Sequence, residues 1–424
     1  MRRVRGTKSL VHDAVDQTVN LVALGHESTA RTVMRVLAHT GKYAGPAREA
    51  DRARRLATSA VLRAVKLVNH AVAAGSDAAL DVFGPADGAA EALVPLRSDA
   101  VRSATVAIDA VVGAVNGFVG DHLASEFNEL DLRMALRTVD AWIHPGGAGV
   151  PAPATGKIVV LVHGLATTEW SWCLDAERLL GHPDANFGTL LQSDLGYTPV
   201  YARYNTGRHI SESGRSLAAR LADLVAHWPV PLTELVLVGH SMGGLVSRSA
   251  CHLAAAEGQP WVNHVRRVVT LGSPLRGAPL EDLAHVATAL LAAVDLPATV
   301  ITGRLLRARS AGIKDLRLGY AQDAEWAGRD PDARGGNPLA LDLPPHIAWC
   351  FIAGTVGSTE THPASRFLGD LLVRVDSATG AGASPANVTV HHVGGIHHAA
   401  MQVDPRVYAH VKQFLSPDPE PPGE

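Results

Sequence analysis

The sequence predicts an α/β protein in which a mostly parallel sheet carries helices on both faces. Between residues 157 and 415, short runs rich in valine, isoleucine and leucine alternate with amphipathic helical segments. Several of these runs are apolar at every position, as strands covered on both sides must be. A glycine-rich turn also joins one such run to a helical segment and places a serine between them.

Composition and charge limit the classes of function. The chain has 424 residues and 47% hydrophobic content, enough to bury a large core and more than one average domain needs. The net charge is −3 with acids and bases interspersed, so we expect no nucleic-acid partner. We find no secretion signal and no apolar run of membrane-spanning length, and the three cysteines form no close pair. These features favour a cytoplasmic protein.

The first part of the chain, residues 1–143, is predicted to be helical because apolar residues recur every three or four positions. One helix is expected at 57–75 and a second from near Ser98. Their apolar faces are typical of helices that pack within the same chain, and contact with a lipid surface is the alternative. The glycine- and proline-rich segment 144–156 is interpreted as a linker and as the domain boundary.

The second part, residues 157–415, contains the predicted sheet. The predicted strands are 157–164, 198–204, 234–240, 266–274, 346–354 and 387–393. Helices are predicted at 211–228, behind a serine N-cap, and from near Asp404. Residues 279–345 interrupt the alternation and predict a helical lid inserted over the strand ends. The tail, residues 416–424, is predicted to be disordered.

The turn at residues 239–243 reads GHSMG and matches the motif G-x-S-x-G. A predicted strand leads into it and a predicted helix leaves it, which is the context that a nucleophile elbow requires. In such an elbow the glycines let strand and helix approach closely, and the turn exposes the serine hydroxyl. We therefore interpret Ser241 as a nucleophile, and an ordinary glycine-rich turn is the alternative.

Two backbone amides are expected to stabilise the oxyanion that attack by Ser241 would create. The elbow aims the amide of Met242 into the same space as the hydroxyl. The second amide should come from the loop after an earlier strand. His163 and Gly164 end such a strand, so we expect the amide of Leu165 to complete the oxyanion hole.

A serine hydroxyl needs a general base that is held in place by a third group. The base is expected in the pair His397 and His398, which follows the last predicted strand. Two carboxylates, Asp370 and Asp376, can orient it; Asp370 is favoured because it follows a glycine in a turn before an apolar segment.

A metal cluster is the alternative use of the C-terminal histidines, which are His391, His392, His397 and His398. No cysteine or carboxylate lies at ligand spacing from them. We therefore expect no metal and no other cofactor.

Several segments together resemble the α/β-hydrolase superfamily and, within it, the bacterial esterases and triacylglycerol lipases. They are VLVHGL, YNTGRHISESGRSLA, LVLVGHSMGGLVSRSA, TLGSPLRGAP, GDLLVRVDSA and HHAAMQVDPRVY. The resemblance implies the α/β-hydrolase fold, with Ser241 as nucleophile and Asp370 as acid. Its spacing to the proline of the last helix, Pro405, implies that His398 is the base, and His397 is the alternative.

The expected function is a serine carboxylic-ester hydrolase that forms an acyl-enzyme on Ser241. The same chemistry serves thioesterases, amidases and acyltransferases, and a non-catalytic binding or scaffolding protein is the alternative from another class. The apolar stretch at 283–296 favours a lipid-like or acyl ester as substrate. Contact of the lid or the N-terminal helices with a lipid surface is the alternative to packing within the chain.

Overall fold

The structure is a computed structural model, and it describes residues 93–125, 130–182, 184–278, 309–329, 338–339, 344–357, 370, 373–379 and 387–416. The helix predicted at 57–75, the greater part of the predicted lid and all but the first residue of the predicted tail lie outside these residues. The described residues belong to one compact unit.

An eight-stranded sheet forms the centre of this unit. In chain order the strands are β1 (Ala135–Arg137), β2 (Trp142–Ile143), β3 (Lys157–Val162), β4 (Thr198–Arg203), β5 (Glu234–His240), β6 (Val265–Leu271), β7 (Ala348–Thr355) and β8 (Val388–Gly394). Their order across the sheet is β2-β1-β4-β3-β5-β6-β7-β8. Strands β3 to β8 are parallel to one another, whereas β1 is antiparallel to both β2 and β4. The predicted α/β architecture and all six predicted strands are confirmed.

Two strands lie outside the predicted pattern. Strands β1 and β2 precede the segment 144–156, in the part of the chain for which we predicted helices. The sheet therefore begins before the predicted domain boundary. Runs of three and two residues are too short to show a period of two in the sequence. They become strands because β1 pairs with the edge of β4, a contact between segments that are far apart along the chain.

The helices flank the sheet. They are α1 (Ala104–Ser125), α2 (Ala176–Leu180), α3 (Phe187–Leu195), α4 (Ile210–Ala226), α5 (Met242–Ala256), α6 (Ala311–Leu318), α7 (Asp323–Trp326), α8 (Val375–Ala378) and α9 (Pro405–Leu415). Helices α4, α5 and α9 are the three predicted in the second part of the chain. Helix α4 begins one residue before Ser211, so its N-cap is His209 and the predicted serine cap is wrong. The helix expected from near Ser98 is α1, which begins after a short 3-10 turn. Helix α9 begins at Pro405, as predicted, and its N-cap is Asp404, whose side chain accepts the amide of Arg406.

The core lies on both sides of the central strands. In β3 and β5 the side chains of residues 158–162 and 235–238 are inaccessible to solvent, although alternate residues point to opposite faces. On one face, Phe187 of α3 packs against Tyr408 of α9, with ring centroids 5.3 Å apart, in the cluster that includes Val159 and Val236. Covering both faces leaves the carboxyl ends of the parallel strands as the place for a site.

By length and composition, Thr105–Ser125 of α1 is the one helix in the described part of the chain that could cross a membrane. About half of its apolar window, 53%, is buried against the rest of the unit. Asn116 is wholly buried in this contact, where it donates to the carbonyl of Leu130 and accepts the amide of Leu132. These contacts are typical of a helix in the core of a folded unit.

Candidate active site

The turn between β5 and α5 holds Ser241 in a strained backbone conformation. Ser241 has φ 53° and ψ −124°, in a region that residues other than glycine rarely occupy. A Cβ atom on Gly239 would collide with the backbone of Gly244, and one on Gly243 would collide with the carbonyl of Val162. Glycine at these two positions therefore allows β5, α5 and the end of β3 to meet at the serine.

A buried acid–histidine pair lies beside this turn. Nδ1 of His398 is 2.7 Å from Oδ2 of Asp370, and the two side chains are 2% and 1% exposed. The other carboxylate oxygen, Oδ1, accepts the amide of Val373, and the amide of His398 donates to the carbonyl of Asp370. Because an ionised carboxylate can only accept, Nδ1 carries the proton and Nε2 keeps its lone pair.

The two rival side chains lie elsewhere. His397 is exposed and precedes the 3-10 turn that contains His398. Asp376 is exposed in the first turn of α8. The structure thus pairs Asp370 with His398 and leaves both alternatives in solvent.

The pair and the serine are connected through the residue before the serine. Nε2 of His240 is 3.1 Å from the carbonyl oxygen of His398, and the two rings are 4.7 Å apart. Nε2 of His398 is buried and has no hydrogen-bond partner among the described residues. The hydrogen bond from Ser241 to His398 is therefore not formed in this structure, and such bonds often tighten only when substrate is bound.

Sequence reasoning missed the role of Gly272, which follows β6. This glycine has φ 57°, and a Cβ atom there would lie 2.9 Å from Oδ2 of Asp370 and 3.1 Å from Nδ1 of His398. The absence of a side chain leaves room for the pair. The available signal was a glycine at the carboxyl end of a predicted strand.

The loop after β3 reaches the elbow, as the predicted oxyanion hole requires. A Cβ atom on Gly164 would lie 3.0 Å from Cβ of Ser241, which shows how closely the loop approaches. The amide of Ala166 donates to Oγ1 of Thr206. The amides of Leu165 and Met242, by contrast, donate to no group in the part of the chain that the structure describes.

Burial keeps two neighbouring histidines neutral. Desolvation lowers the pKa of His240 well below its ordinary value, and the nearby ring of His398 lowers it further. Desolvation likewise lowers the pKa of His163 to about 4. At neutral pH both rings are therefore uncharged.

The described residues bring together no three His, Cys, Asp or Glu side chains that could hold a metal ion. Of the four histidines in the metal hypothesis, His391 stacks on His410 with ring centroids 4.3 Å apart. His398 instead faces Asp370. The donor set needed for a zinc-type site is thus not assembled by these residues.

Comparisons with known proteins match this part of the chain. Residues 154–296 match a family described as a PGAP1-like alpha/beta domain. No curated protein matches the chain.

Solved structures with a similar fold include three enzymes. The mature lipase BlEst2 of Bacillus licheniformis is 19% identical, with 64% of this chain and 98% of that chain covered and a TM-score of 0.38. An esterase of Thermogutta terrifontis is 14% identical over 67% and 92% of the two chains, with a TM-score of 0.37. The naproxen esterase of Bacillus subtilis is 12% identical over 72% and 98%, with a TM-score of 0.36. At these values the likeness carries no argument about activity.

Proposed function

We propose that this chain is an α/β-hydrolase and, more specifically, a serine carboxylic-ester hydrolase of the esterase or lipase type. One observation carries the proposal: a serine in a strained elbow directly follows His240, whose ring lies 4.7 Å from the ring of the buried His398. A carboxylate binds Nδ1 of His398, and Nε2 has no hydrogen-bond partner among the described residues. A turn that served only to connect β5 and α5 would need neither the strain nor the buried pair.

In the proposed reaction, Oγ of Ser241 attacks the acyl carbonyl carbon while Nε2 of His398 takes the hydroxyl proton. Asp370 holds the ring and stabilises the imidazolium that forms. His398 then returns the proton to the departing alcohol, which leaves an acyl-enzyme on Ser241. Water attacks the acyl-enzyme by the same route and releases the acid.

The amides of Leu165 and Met242 are proposed to bind the oxyanion of each tetrahedral intermediate. Both amides are fixed by backbone geometry, so they need no reorganisation as charge develops on the oxygen. Losing one such donor typically costs roughly 3 kcal/mol of transition-state stabilisation. The reaction requires no metal and no cofactor.

An acyl ester or lipid is the proposed substrate. The apolar stretch at 283–296 supports this choice, because a lid of that composition would shield an acyl chain from water. A thioesterase or an acyltransferase would use the same acyl-enzyme. From the sequence alone we also propose a cytoplasmic location. Contact with a lipid surface, through the lid or the N-terminal helices, is a further proposal.

A fluorophosphonate probe tests the chemistry directly. Only an activated serine should react, so the folded protein should gain one probe mass on the peptide that contains Ser241, and heat-denatured protein should gain none. A non-catalytic binding protein would remain unlabelled in both states. Kinetics with matched oxygen esters and thioesters of increasing acyl length then distinguish the substrate classes.

A further inference from the structure

We propose that helix α1 positions the loop that carries the amide of Leu165, so that a helix preceding the family-matched segment supports the oxyanion hole. This inference rests on the proposed function. It joins three observations about α1 and residues 163–170: close contact between glycines of α1 and the loop backbone, a left-handed residue at the contact, and a partly buried ion network at the end of the loop.

Helix α1 touches the loop through glycines. A Cβ atom on Gly117 would lie 2.7 Å from Cα of Ala166 and 3.0 Å from its amide nitrogen. One on Gly113 would lie 3.0 Å from the carbonyl oxygen of Thr167. Cγ2 of Thr168 and Cβ of Ala166 would also lie within 3.0 Å of these Cβ atoms. Because the partner atoms include the loop backbone, a larger residue at either glycine would have to displace the loop itself.

Ala166, the residue after the proposed oxyanion donor, has φ 59°. Left-handed backbone is unfavourable for alanine and persists only where the surroundings impose it. Thr206 accepts the Ala166 amide at 3.0 Å, and Oγ1 of Thr167 donates to the carbonyl of Gly164 at 2.9 Å. The first bond fixes the peptide between Leu165 and Ala166, and the second fixes the peptide between Gly164 and Leu165, which carries the Leu165 amide.

Asp109 of α1 anchors the far end of the loop. Its Oδ2 accepts Nε1 of Trp170 at 3.0 Å, and its Oδ1 accepts from Arg203 at 3.3 Å. Arg203 also donates to Glu169, whose side chain is wholly buried, with 2.7 Å between Nε and Oε2. Burial alone would raise the pKa of Glu169, but Arg203 and then Arg137 outweigh it, so the carboxylate stays ionised.

The function of this contact follows from the distances. Shifting Ala166 by a few tenths of an ångström moves the preceding amide by a similar amount. An oxyanion donor works only within a narrow range of distance and angle. A small shift therefore reduces the stabilisation of the transition state more than it reduces the binding of the substrate. We therefore expect α1 to affect kcat and leave KM nearly unchanged.

The test uses the full chain with Gly117→Ala and Asp109→Asn. Gly117→Ala displaces the loop, whereas Asp109→Asn keeps the shape and weakens only the charged contacts, so it serves if the first variant does not fold. The matched control is Ala124→Gly, which weakens α1 near its end without adding an atom beside the loop.

For Gly117→Ala we expect kcat to fall at least ~10-fold with KM changed less than ~2-fold, and for Asp109→Asn a smaller fall of the same kind. A boronic acid inhibitor forms a tetrahedral adduct that occupies the oxyanion hole, so its affinity should fall in parallel with kcat. Ala124→Gly should lower the melting temperature and leave kcat and boronate affinity near those of the wild type.

Wild-type kcat and boronate affinity in a folded Gly117→Ala or Asp109→Asn protein would overturn the inference. So would an equal fall of kcat in Ala124→Gly, because the effect would then follow stability alone. Turnover by the wild-type chain that survives in Ser241→Ala would reject the proposed function instead, so the two failures are distinguishable.

Discussion

Nδ1 of His398 lies 2.7 Å from Oδ2 of Asp370, although 28 positions separate the two residues along the chain. The carboxylate is held in turn by the amide of Val373, and backbone contact joins the two residues a second time. A pair held in this way has one tautomer and one orientation, which leaves Nε2 as the free nitrogen. The proposed mechanism depends on that nitrogen.

Replacing Asp370 by asparagine should lower kcat by roughly 10⁴-fold while the protein stays folded, because the amide favours the wrong tautomer of His398. Steady-state kinetics and near-ultraviolet circular dichroism measure the two effects. Asp376→Asn is the control, since Asp376 is exposed on α8. Equal losses in both variants would remove Asp370 from its proposed role.

Replacing His398 by alanine should abolish ester turnover and fluorophosphonate labelling, since among the described residues of the site no other histidine is paired with a carboxylate. His397→Ala should retain wild-type kcat within about threefold, because its side chain is exposed outside the buried pair. The reverse result would identify His397 as the base and would require the loop to rearrange.

Replacing Ser241 by alanine should lower kcat by at least ~10³-fold. A second variant, Ser241→Gly, should differ from Ser241→Ala in its free energy of unfolding. The backbone at φ 53° strains any side-chain-bearing residue, so glycine should be more stable than alanine there by about 1 kcal/mol. If the backbone at Ser241 were unstrained, the glycine variant would be no more stable than the alanine variant. Urea unfolding of the two variants measures the difference.

Stability should fall as pH drops from about 6.5 toward 4, because burial lowers the pKa of His163 to about 4 from its ordinary 6.5. In that window the unfolded chain binds a proton that the folded protein does not, so protonation favours unfolding. The contribution is complete above the unfolded pKa and is reduced by roughly 3 kcal/mol at the lower end. His240, with its pKa also lowered, acts in the same direction.

The variant His163→Phe isolates this effect, because it preserves a ring to stack on Tyr204 and removes the titration. The unfolding free energy, measured by urea at pH 7 and pH 4.5, should depend on pH less steeply in the variant. The difference in slope corresponds to the uptake of at most one proton on unfolding. Identical slopes in the two proteins would show that His163 does not remain neutral in the folded state.

The strands and the elbow could be predicted from the sequence because their determinants are local. Buried parallel strands such as β5 must be apolar throughout, and the turn after β5 needs glycine on either side of its serine. Both requirements involve residues that are close together in the sequence. They can therefore be recognised from local composition and from the spacing of the glycines.

The choice between Asp370 and Asp376, and between His397 and His398, had a different basis. Each pair is chemically equivalent in sequence, and turn chemistry and resemblance favoured one member. Burial distinguishes the members of each pair: Asp370 and His398 are buried against each other, whereas Asp376 and His397 are exposed. Burial of this kind depends on how β7, β8 and their loops pack.

By itself, the sequence determined the alternation of strands and helices and the turn that carries Ser241, since both are written in short-range patterns. Only the tertiary structure decided that β1 and β2 extend the sheet and that α1 lies against the loop of Leu165. Contacts of this second kind join residues far apart along the chain, and a short strand or a glycine facing another backbone leaves no periodic signal.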